Sequence, residues 1–407
     1  MMSAKILITG GRAAVGVDLA RYFKALGHEV YVVDSWERHL CAASNAVKES
    51  FHTASPNRAF HDYKRDLLRI IEEKGITHVI PVSEEAFYLA AVAPSIPKNV
   101  RVWIETSDKL RQVHDKAAFN QLAREMGLQV PETRVVHSRS ELLQTLRDLR
   151  LERRDFVLKP AFSRFADKTA FSWTRKDFET RLEDVRPKPT EAWLVQERIK
   201  GEELCTYSVA LEGKLLAHVN YSHEFTAGPG AGICFESIDR PILNEWVEKF
   251  VRETKFTGQL AFDFILPEGG GAYALECNPR GTSGIHLFSE ESERLTRAFL
   301  LPETVTSTLS PEMGRLGMTT SLAMIIYGIP QIRSYRKLKE WIRVFFKARD
   351  ALMVASDRGP FLEQFAVLSH LQRASRSTGL SMLACSTLDI EWNGESLAEA
   401  GVQNEKA

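Results

Sequence analysis

The sequence is poor in cysteine, and its cysteines form no recognisable pattern. Five occur in 407 residues, widely spaced and without a Cys-x-x-Cys pair. A scattered, odd-numbered set predicts neither a disulfide framework nor a zinc site. Residues 1–10 also lack the layout of a secretory signal and lead directly into a predicted strand. We therefore expect the protein in a reducing cytoplasm.

Excess charge, long apolar runs and a P-loop are also missing. Lysine plus arginine and aspartate plus glutamate each total 53, so net charge indicates neither a nucleic-acid nor a membrane partner. No run approaches the ~18 apolar residues of a transmembrane helix. The Gly-x-x-x-x-Gly-Lys-Ser/Thr pattern of a P-loop does not occur. The length leaves room for about two to four domains.

The first hundred residues alternate between apolar runs and amphipathic segments. This rhythm predicts an open parallel sheet with helices on both faces, and hence a Rossmann-like α/β domain over residues 1–110. The predicted strands span 4–9, 28–34, 77–81 and 101–105, and the predicted helices span 17–26 and 60–74.

Beyond residue 110 the pattern changes to a largely antiparallel α+β rhythm, and after residue 284 it becomes mostly helical. The predicted strands there span 156–159, 193–197, 204–210 and 215–221. The predicted helices span 108–127, 141–149, 175–183, 289–300, 322–327, 335–347 and 361–376.

A glycine-rich turn at 267–271 separates two apolar runs, 259–266 and 272–277. This arrangement predicts a β-hairpin. A turn centred in this segment places Asp263 directly opposite Glu276. Charges here interrupt apolar strands, where unpaired charge is costly, so we favour a functional hairpin over a solvated one.

The hairpin gathers oxygen ligands on one face. Since strand side chains repeat with period two, Asp263, Glu276 and Asn278 point the same way, and Arg280 follows them. Two carboxylates and an amide oxygen suit Mg²⁺, with Mn²⁺ as an alternative. Arginine suits the phosphoryl or acyl-phosphate group that accompanies the metal, so we expect Arg280 to bind substrate and act in catalysis.

The run Glu276-Cys277-Asn278-Pro279-Arg280 resembles the Glu-x-Asn-Pro-Arg signature of the ATP-grasp superfamily, in the branch similar to carbamoyl-phosphate synthetases and biotin carboxylases. The resemblance extends over roughly residues 4–300, and this motif is its most specific part. It implies ATP and Mg²⁺ as cofactors and a split ATP-binding domain at 111–310, with an ATP lid at about 130–200. The mostly helical region 311–407 lies outside the parts that resemble the family.

Two lysines match the family's phosphate-binding cations. Asp115-Lys116, inside the predicted helix 108–127, resembles the Asp-Lys pair whose cation contacts the α-phosphate. Lys159 ends an apolar strand, where a charge is expensive, and by resemblance is the second cation, with a role in catalysis.

The loop 161–168 departs from the family, because it contains no glycine. The family uses glycine-rich backbone there to cover the phosphates. We expect Ser163, Arg164 and Lys168 to supply side-chain donors instead, with an ordinary surface loop as the alternative.

Residues 193–203 resemble the hinge between the two halves of the ATP-binding domain. By this resemblance the backbone around Glu197 and Ile199 pairs with the adenine edge, with Gln196 beside it, and Glu203 holds the ribose hydroxyls. A plain strand ending in a turn is the alternative.

We expect acceptor specificity in a crevice outside the ATP core. Its walls would be the N-terminal domain, the loop 228–232 and the segment 282–288. In that segment Ser283 and His286 are candidate substrate contacts or, alternatively, structural groups. Residues 83–85 end a predicted strand on the same side, although a solvated loop is the favoured interpretation there.

The turn Gly11-x-Ala13-x-x-Gly16, with Asp34 ending the next strand, has the spacing of a dinucleotide fingerprint. An NAD-binding protein is therefore an open alternative. The ATP-grasp resemblance favours a turn that binds no dinucleotide.

Together these features predict an ATP-grasp ligase that joins a small carboxylic acid to an amine through an acyl-phosphate. A carboxylase or carbamoyl-phosphate-type enzyme is the alternative, although the chain lacks a glutaminase unit and a biotin-bearing Met-Lys-Met segment. The oligomeric state stays open, with a homodimer among the alternatives.

Overall fold

The computed structural model describes residues 3–151, 154–162, 169–228 and 231–394. The chain begins with a five-stranded parallel sheet in the order β3-β2-β1-β4-β5, as the predicted Rossmann-like fold requires. Its strands are β1 Lys5–Thr9, β2 Glu29–Asp34, β3 Glu49–His52, β4 His78–Pro81 and β5 Arg101–Val102. Its helices are α1 Ala14–Ala25, α2 Phe60–Lys74 and α3 Ala86–Val92.

Alternating side chains of β1 explain why both faces of this sheet are covered. Ile6 and Ile8 enter the core that contains the apolar side chains of α1, whereas Leu7 enters the core that contains those of α2. The sequence did not predict β3, because Glu49–His52 is a short, mostly polar edge strand without an apolar run.

The helix predicted at 108–127 is two helices, α4 Ser107–His114 and α5 Lys116–Glu125. Asp115 has an extended backbone conformation, and its Oδ1 accepts hydrogen bonds from the N–H groups of Ala117 and Ala118. It therefore caps α5, and Lys116 becomes the first residue of a helix rather than an interior one.

A four-stranded sheet in the order β6-β9-β7-β8 lies at the predicted ATP lid. Its strands are β6 Thr133–Val136, β7 Phe156–Pro160, β8 Ala170–Phe171 and β9 Trp193–Glu197. The helices α6 Arg139–Leu151 and α7 Arg175–Asp184 accompany them. Apolar side chains of the sheet and both helices form a separate small core.

The largest sheet has seven strands in the order β16-β15-β10-β11-β14-β17-β18. Its members are β10 Glu202–Leu211, β11 Lys214–Ser222, β14 Cys234–Ile238, β15 Gly258–Leu266, β16 Tyr273–Asn278, β17 Leu316–Met318 and β18 Arg349–Asp350. The strands β12 Thr226–Ala227 and β13 Ala231–Gly232 pair with each other. The helices α8 Pro241–Thr254 and α9 Ser292–Leu300 also belong to this part of the chain.

The C-terminal region is mostly helical, as predicted, but β17 and β18 extend the large sheet. Its helices are α10 Ser321–Ala323, α11 Tyr335–Lys347, α12 Gly359–Thr378 and α13 Met382–Cys385, with a π-helical turn at Met324–Gly328 after α10. Shorter 3₁₀ turns lie at Leu40–Ala43, Ala93–Ser95, Ser283–Phe288, Pro302–Thr304 and Ile329–Gln331.

Two features of the whole chain position the site. One apolar core combines side chains of the N-terminal sheet with those of β10, β15 and β16, so the hairpin packs directly on the first domain. Residues 386–394, here called the C-terminal tail, cross the carboxyl ends of β1 and β2. None of the helices in the described part of the chain has the length and apolar character needed to cross a membrane.

Candidate active site

The hairpin of β15 and β16 has the predicted register at its acidic pair. Asp263 pairs directly with Glu276, and Asn278 lies two residues further along the same face. A bulge beside this pair leaves Leu275 outside the β-ladder. The three predicted metal ligands are therefore neighbours on one face, and all three are half-buried.

Lys116 and Lys159 approach this face from two other elements. The Nζ of Lys116 lies 3.3 Å from Oε2 of Glu276, and the Nζ of Lys159 donates to the carbonyl oxygen of Leu275 at 3.5 Å. Both lysines are buried. The backbone N–H of Lys116 also donates to the carbonyl oxygen of Ala161 at 3.2 Å, which links the two lysine-bearing segments directly.

Burial and mutual proximity set the protonation of these groups. Burial and the charge of Glu276 raise the pKa of Asp263 above its usual range. Burial also acts to raise the pKa of Glu276, but Lys116 and Lys159 hold it well below its usual range. Burial, with Lys116 nearby, lowers the pKa of Lys159 to about 8. Crowded charges of both signs are typical of a site built for a charged ligand.

The donor set fits Mg²⁺ bound together with phosphate oxygens. Asp263 and Glu276 offer carboxylate oxygens whose mutual repulsion a cation would relieve, and Asn278 offers an amide oxygen. In the described ranges no group of three His, Cys, Asp or Glu residues is arranged to hold a metal ion. An ion here would therefore take its remaining ligands from water and the nucleotide, which is how Mg²⁺ is commonly bound.

Arg280 reaches from the hairpin to the N-terminal sheet. Its Nε donates to Oε1 of Glu84 at 2.7 Å, and Glu84 is 1% exposed. The favoured interpretation of residues 83–85 as a solvated loop is therefore wrong. Glu84 and Glu85 are both buried, because the apolar helix α3 begins at the next residue and packs into the core. Arg280 thus joins the acidic hairpin to the carboxyl end of β4.

The predicted adenine hinge lies at the end of β9. Gln196 is buried, and its Nε2 donates to Oγ1 of Thr133 at 3.0 Å. The carboxylate of Glu197 lies 3.1 Å from Nη2 of Arg154. Both side chains are thus engaged within the lid, whereas Ile199 is half-buried and Glu203 is exposed. Ile199 and Glu203 are the more accessible of the predicted nucleotide contacts.

The predicted phosphate loop 161–168 and the predicted acceptor loop 228–232 are only partly described. Ser163, Arg164 and Lys168 lie outside the described residues, as do two residues of the loop 228–232. The base of that second loop is formed by β12 and β13. The Nε2 of Gln331 donates to the carbonyl oxygen of Thr226 there at 2.7 Å, so the C-terminal region contacts the loop.

His286 does not face a crevice. It is 2% exposed, and its Nδ1 lies 2.8 Å from Oδ2 of Asp18 in α1, which Arg349 also contacts through two hydrogen bonds. This arrangement argues against a substrate contact and favours the structural alternative. Ser283, at the start of the 3₁₀ turn 283–288, is half-buried and stays a candidate.

The dinucleotide-like turn is occupied by the protein's own side chains. The guanidinium of Arg12 binds the carboxylate of Asp34 at 2.6 Å and that of Asp389, in the C-terminal tail, at 2.6 Å. Asp34 is the residue that would hold a ribose in a dinucleotide site. Its pairing with Arg12 and the position of the tail both argue against an NAD site.

Two residues near the site are not predicted from the sequence to belong to it. For Glu84 the favoured interpretation is a solvated loop, and Trp392 is not among the predicted site residues. Glu84 carries a detectable signal, since acids at the end of a buried strand directly precede an apolar helix. Trp392 is a lone aromatic residue in a polar segment, and no pattern in the sequence marks it.

No protein-family model and no curated protein sequence matches the chain, whereas many solved structures do. N5-carboxyaminoimidazole synthetase from Staphylococcus aureus complexed with ADP is 14% identical, with a TM-score of 0.61 over 85% of this chain and 90% of that one. The L-amino acid ligase from Bacillus licheniformis is 15% identical, with a TM-score of 0.55 over 73% and 74%. Biotin carboxylase from Campylobacter jejuni is 14% identical, with a TM-score of 0.56 over 73% and 71%. These enzymes are ATP-grasp proteins, and the likeness shows that the chain has the ATP-grasp fold.

Proposed function

We propose that the protein is an ATP-dependent carboxylate–amine ligase that converts ATP to ADP and phosphate and forms an amide through an acyl-phosphate. One observation carries this proposal: the acid pair Asp263–Glu276 meets two buried lysines, Lys116 and Lys159, from separate elements. Burying charges of both signs is costly, and a phosphate-bearing ligand would compensate for that cost. The ATP-grasp fold supports the same conclusion, since a structure with this fold is complexed with ADP.

Each predicted site residue except His286 has a role in this proposal. Mg²⁺, held by Asp263, Glu276 and Asn278, would neutralise the phosphate oxygens when bound. Lys116 and Lys159 bind the phosphates, and their separate elements fix the phosphate chain from two sides. The remaining assignments are Ser163 and Arg164 to the phosphate loop, Gln196, Glu197 and Ile199 to the adenine, Glu203 to the ribose, and Ser283 to the acceptor.

The chemistry consists of two displacements. A carboxylate oxygen of the acid attacks the terminal phosphorus of ATP, and the bond to the ADP oxygen breaks. The amine nitrogen then attacks the acyl carbon, phosphate leaves with the C–O bonding electrons, and the amine loses a proton. Arg280, fixed by Glu84, stabilises the negative charge on the transferred phosphoryl group and on the tetrahedral carbon.

Bicarbonate is the alternative acid, because a carboxylase or carbamoyl-phosphate-type enzyme needs the same phosphate site. Structures similar to this chain include a biotin carboxylase domain complexed with MgADP and bicarbonate. The two functions differ in the acid that stimulates ADP release and in the product.

The test is ADP release from Mg-ATP, screened against pairs of amino acids and, separately, bicarbonate with amines. The proposal predicts that at least one acid–amine pair stimulates release and yields a product lighter by one water than the sum of its substrates. Stimulation by bicarbonate alone would favour the carboxylase. Release that depends on no acid at all would contradict both.

A further inference from the structure

Four aromatic rings from four parts of the chain meet beside the predicted phosphate site. Trp392, in the C-terminal tail, stacks on Phe87 of α3 with ring centroids 4.9 Å apart and planes 23° apart. It packs edge-on against Phe162 at 5.7 Å and lies 6.4 Å from the ring of His114. Phe87 and His114 also contact each other, at 4.6 Å, as do His114 and Phe162, at 6.0 Å.

The tail that carries Trp392 is fixed to the N-terminal domain. Nη1 and Nη2 of Arg12 bind the carboxylate of Asp389 at 2.6 and 2.8 Å. Nδ2 of Asn57 donates to the carbonyl oxygen of Leu388 at 2.6 Å, and the hydroxyl of Tyr88 donates to that of Glu391 at 2.8 Å. Side-chain bonds on both sides of residue 390 hold this segment, so Trp392 projects from a defined backbone.

Trp392 touches both lysine-bearing segments. His114 is two residues before Lys116, and Phe162 is three residues after Lys159. The same two segments are already linked by the hydrogen bond from the Lys116 N–H to the Ala161 carbonyl. The indole therefore packs against the junction of the two segments that carry the cations.

We propose that Trp392 is a positioning residue that holds the segments of Lys116 and Lys159 at the spacing needed to bind the phosphates of ATP. This inference rests on the proposed function, since it assigns those lysines to phosphate. The tail thus serves the ATP site from the far end of the chain. It acts through Phe162 and His114 rather than by touching the nucleotide.

Calorimetric titration of wild type and Trp392→Ala with Mg-ATP and with adenosine separates positioning from general destabilisation. Weaker packing of the segments that carry Lys116 and Lys159 should weaken their contacts with the phosphates and leave the contacts with the nucleoside unchanged. We expect Trp392→Ala to raise the dissociation constant of ATP by about tenfold while that of adenosine changes little. Trp392→Phe, which keeps a ring, should restore most of the ATP affinity.

Ile390→Ala is the matched control, because Ile390 is also buried in the same tail but contacts the end of the parallel sheet. It should lower the melting temperature without changing the ratio of the two dissociation constants. Phe162→Ala removes the partner ring of the same contact. The loss of ATP binding free energy in Phe162→Ala/Trp392→Ala should therefore be smaller than the sum of the losses in the two single variants.

Three results would overturn the inference. If wild type binds Mg-ATP and both Trp392→Ala and Phe162→Ala keep its ratio of the dissociation constants of ATP and adenosine, the positioning role alone is refuted. An equal change of the ratio in Ile390→Ala would show that the tail acts only through stability. A wild-type protein that binds no Mg-ATP would refute the positioning role together with the proposed function.

Discussion

Glu276 is the residue that connects the parts of the candidate site. It lies opposite Asp263 on the hairpin, and its carboxylate contacts Lys116 while its charge acts on Lys159. Its loss would leave two buried cations with one acid fewer. Under the proposed function Glu276 would hold the Mg²⁺ that neutralises the phosphate oxygens, and removing one group of such a charge-stabilising arrangement typically costs roughly 10²-fold in rate.

We predict that Glu276→Gln lowers turnover by about 10²-fold or more and leaves the folded structure intact, because the amide keeps the shape of the side chain. Turnover and circular dichroism of the same preparation are the measurements. Glu268→Gln, at an exposed position in the turn of the same hairpin, is the control and should be as active as wild type. Near-normal turnover of Glu276→Gln would mean that the hairpin is structural.

The placement of some of these residues could be predicted from the sequence, and that of others could not. The pairing of Asp263 with Glu276 could be predicted, because side-chain period and turn position together determine a hairpin register. The burial of Glu84 and of His286 could not, because it arises from packing against elements distant in the chain, as in the contact of His286 with Asp18.

Single elements show how local chemistry brings the site residues into place. The Asp115 cap divides the predicted helix 108–127 and puts Lys116 in the first turn of α5, where the lysine side chain reaches Glu276 of the hairpin. Such a cap can be recognised in a sequence, but apolar periodicity that continues across it conceals the break. The strands β17 and β18 are too short to predict, and only the edge of the large sheet defines them.

The pair β10 and β11 contains a pH-sensitive element. His218 is buried, with Nδ1 2.9 Å from the Ser208 hydroxyl and Nε2 2.8 Å from Oδ1 of Asn220. Burial lowers its pKa to about 4, against about 6.5 in an unfolded chain. Between those two pKa values the proton binds to the unfolded chain but not to the folded one. The stabilisation of the folded protein by neutral His218 is therefore fully present above about pH 6.5 and is lost as the pH falls through about 4.

We predict that His218→Gln reduces the loss of melting temperature between about pH 7 and about pH 4.5, because one proton that binds preferentially to the unfolded chain is gone. The difference corresponds to about 3 kcal/mol at most. His61→Gln, at an exposed position of α2, should leave the pH dependence unchanged. Parallel curves for wild type and His218→Gln would contradict the prediction.

The first βα turn should not bind a dinucleotide, because Arg12 and the tail residue Asp389 occupy the surroundings of Asp34. We predict no binding of NAD(H) or NADP(H) in calorimetric titrations at micromolar protein concentrations. Arg12→Ala tests the reason, since it frees Asp34 while removing the bridge to the tail. Micromolar affinity of the wild-type protein for either nucleotide would restore the alternative of an NAD-binding protein.

In the whole molecule, the candidate site is assembled from several separate parts of the chain. The hairpin supplies the acids, α5 and β7 supply the lysines, and the N-terminal domain supplies Glu84, which holds Arg280. The sequence motifs identified most of these contributors, but not the domain contacts between them. Those contacts depend on how the apolar core joins the two large sheets.

The contact between Glu84 and Arg280 joins the N-terminal domain to the hairpin, so it can be tested by mutation. Glu84→Gln should reduce the turnover number by about tenfold and leave the Michaelis constant of ATP near the wild-type value, because Arg280 acts on the transferred group. Glu105→Gln is the control for the loss of another buried carboxylate. Its Oε1 lies 2.9 Å from Nζ of Lys109 and accepts from the N–H of Thr257, just before β15 begins rather than at the acidic pair. A change confined to the Michaelis constant of ATP would place Arg280 on the nucleotide side instead.

The most direct test of the account follows the oxygen that the acid would transfer to phosphate. An acid found to stimulate ADP release is labelled with oxygen-18 in its carboxylate, and the products are examined by phosphorus NMR. An acyl-phosphate mechanism predicts ADP and inorganic phosphate that carries one labelled oxygen. AMP and pyrophosphate, or inorganic phosphate without the label, would contradict it.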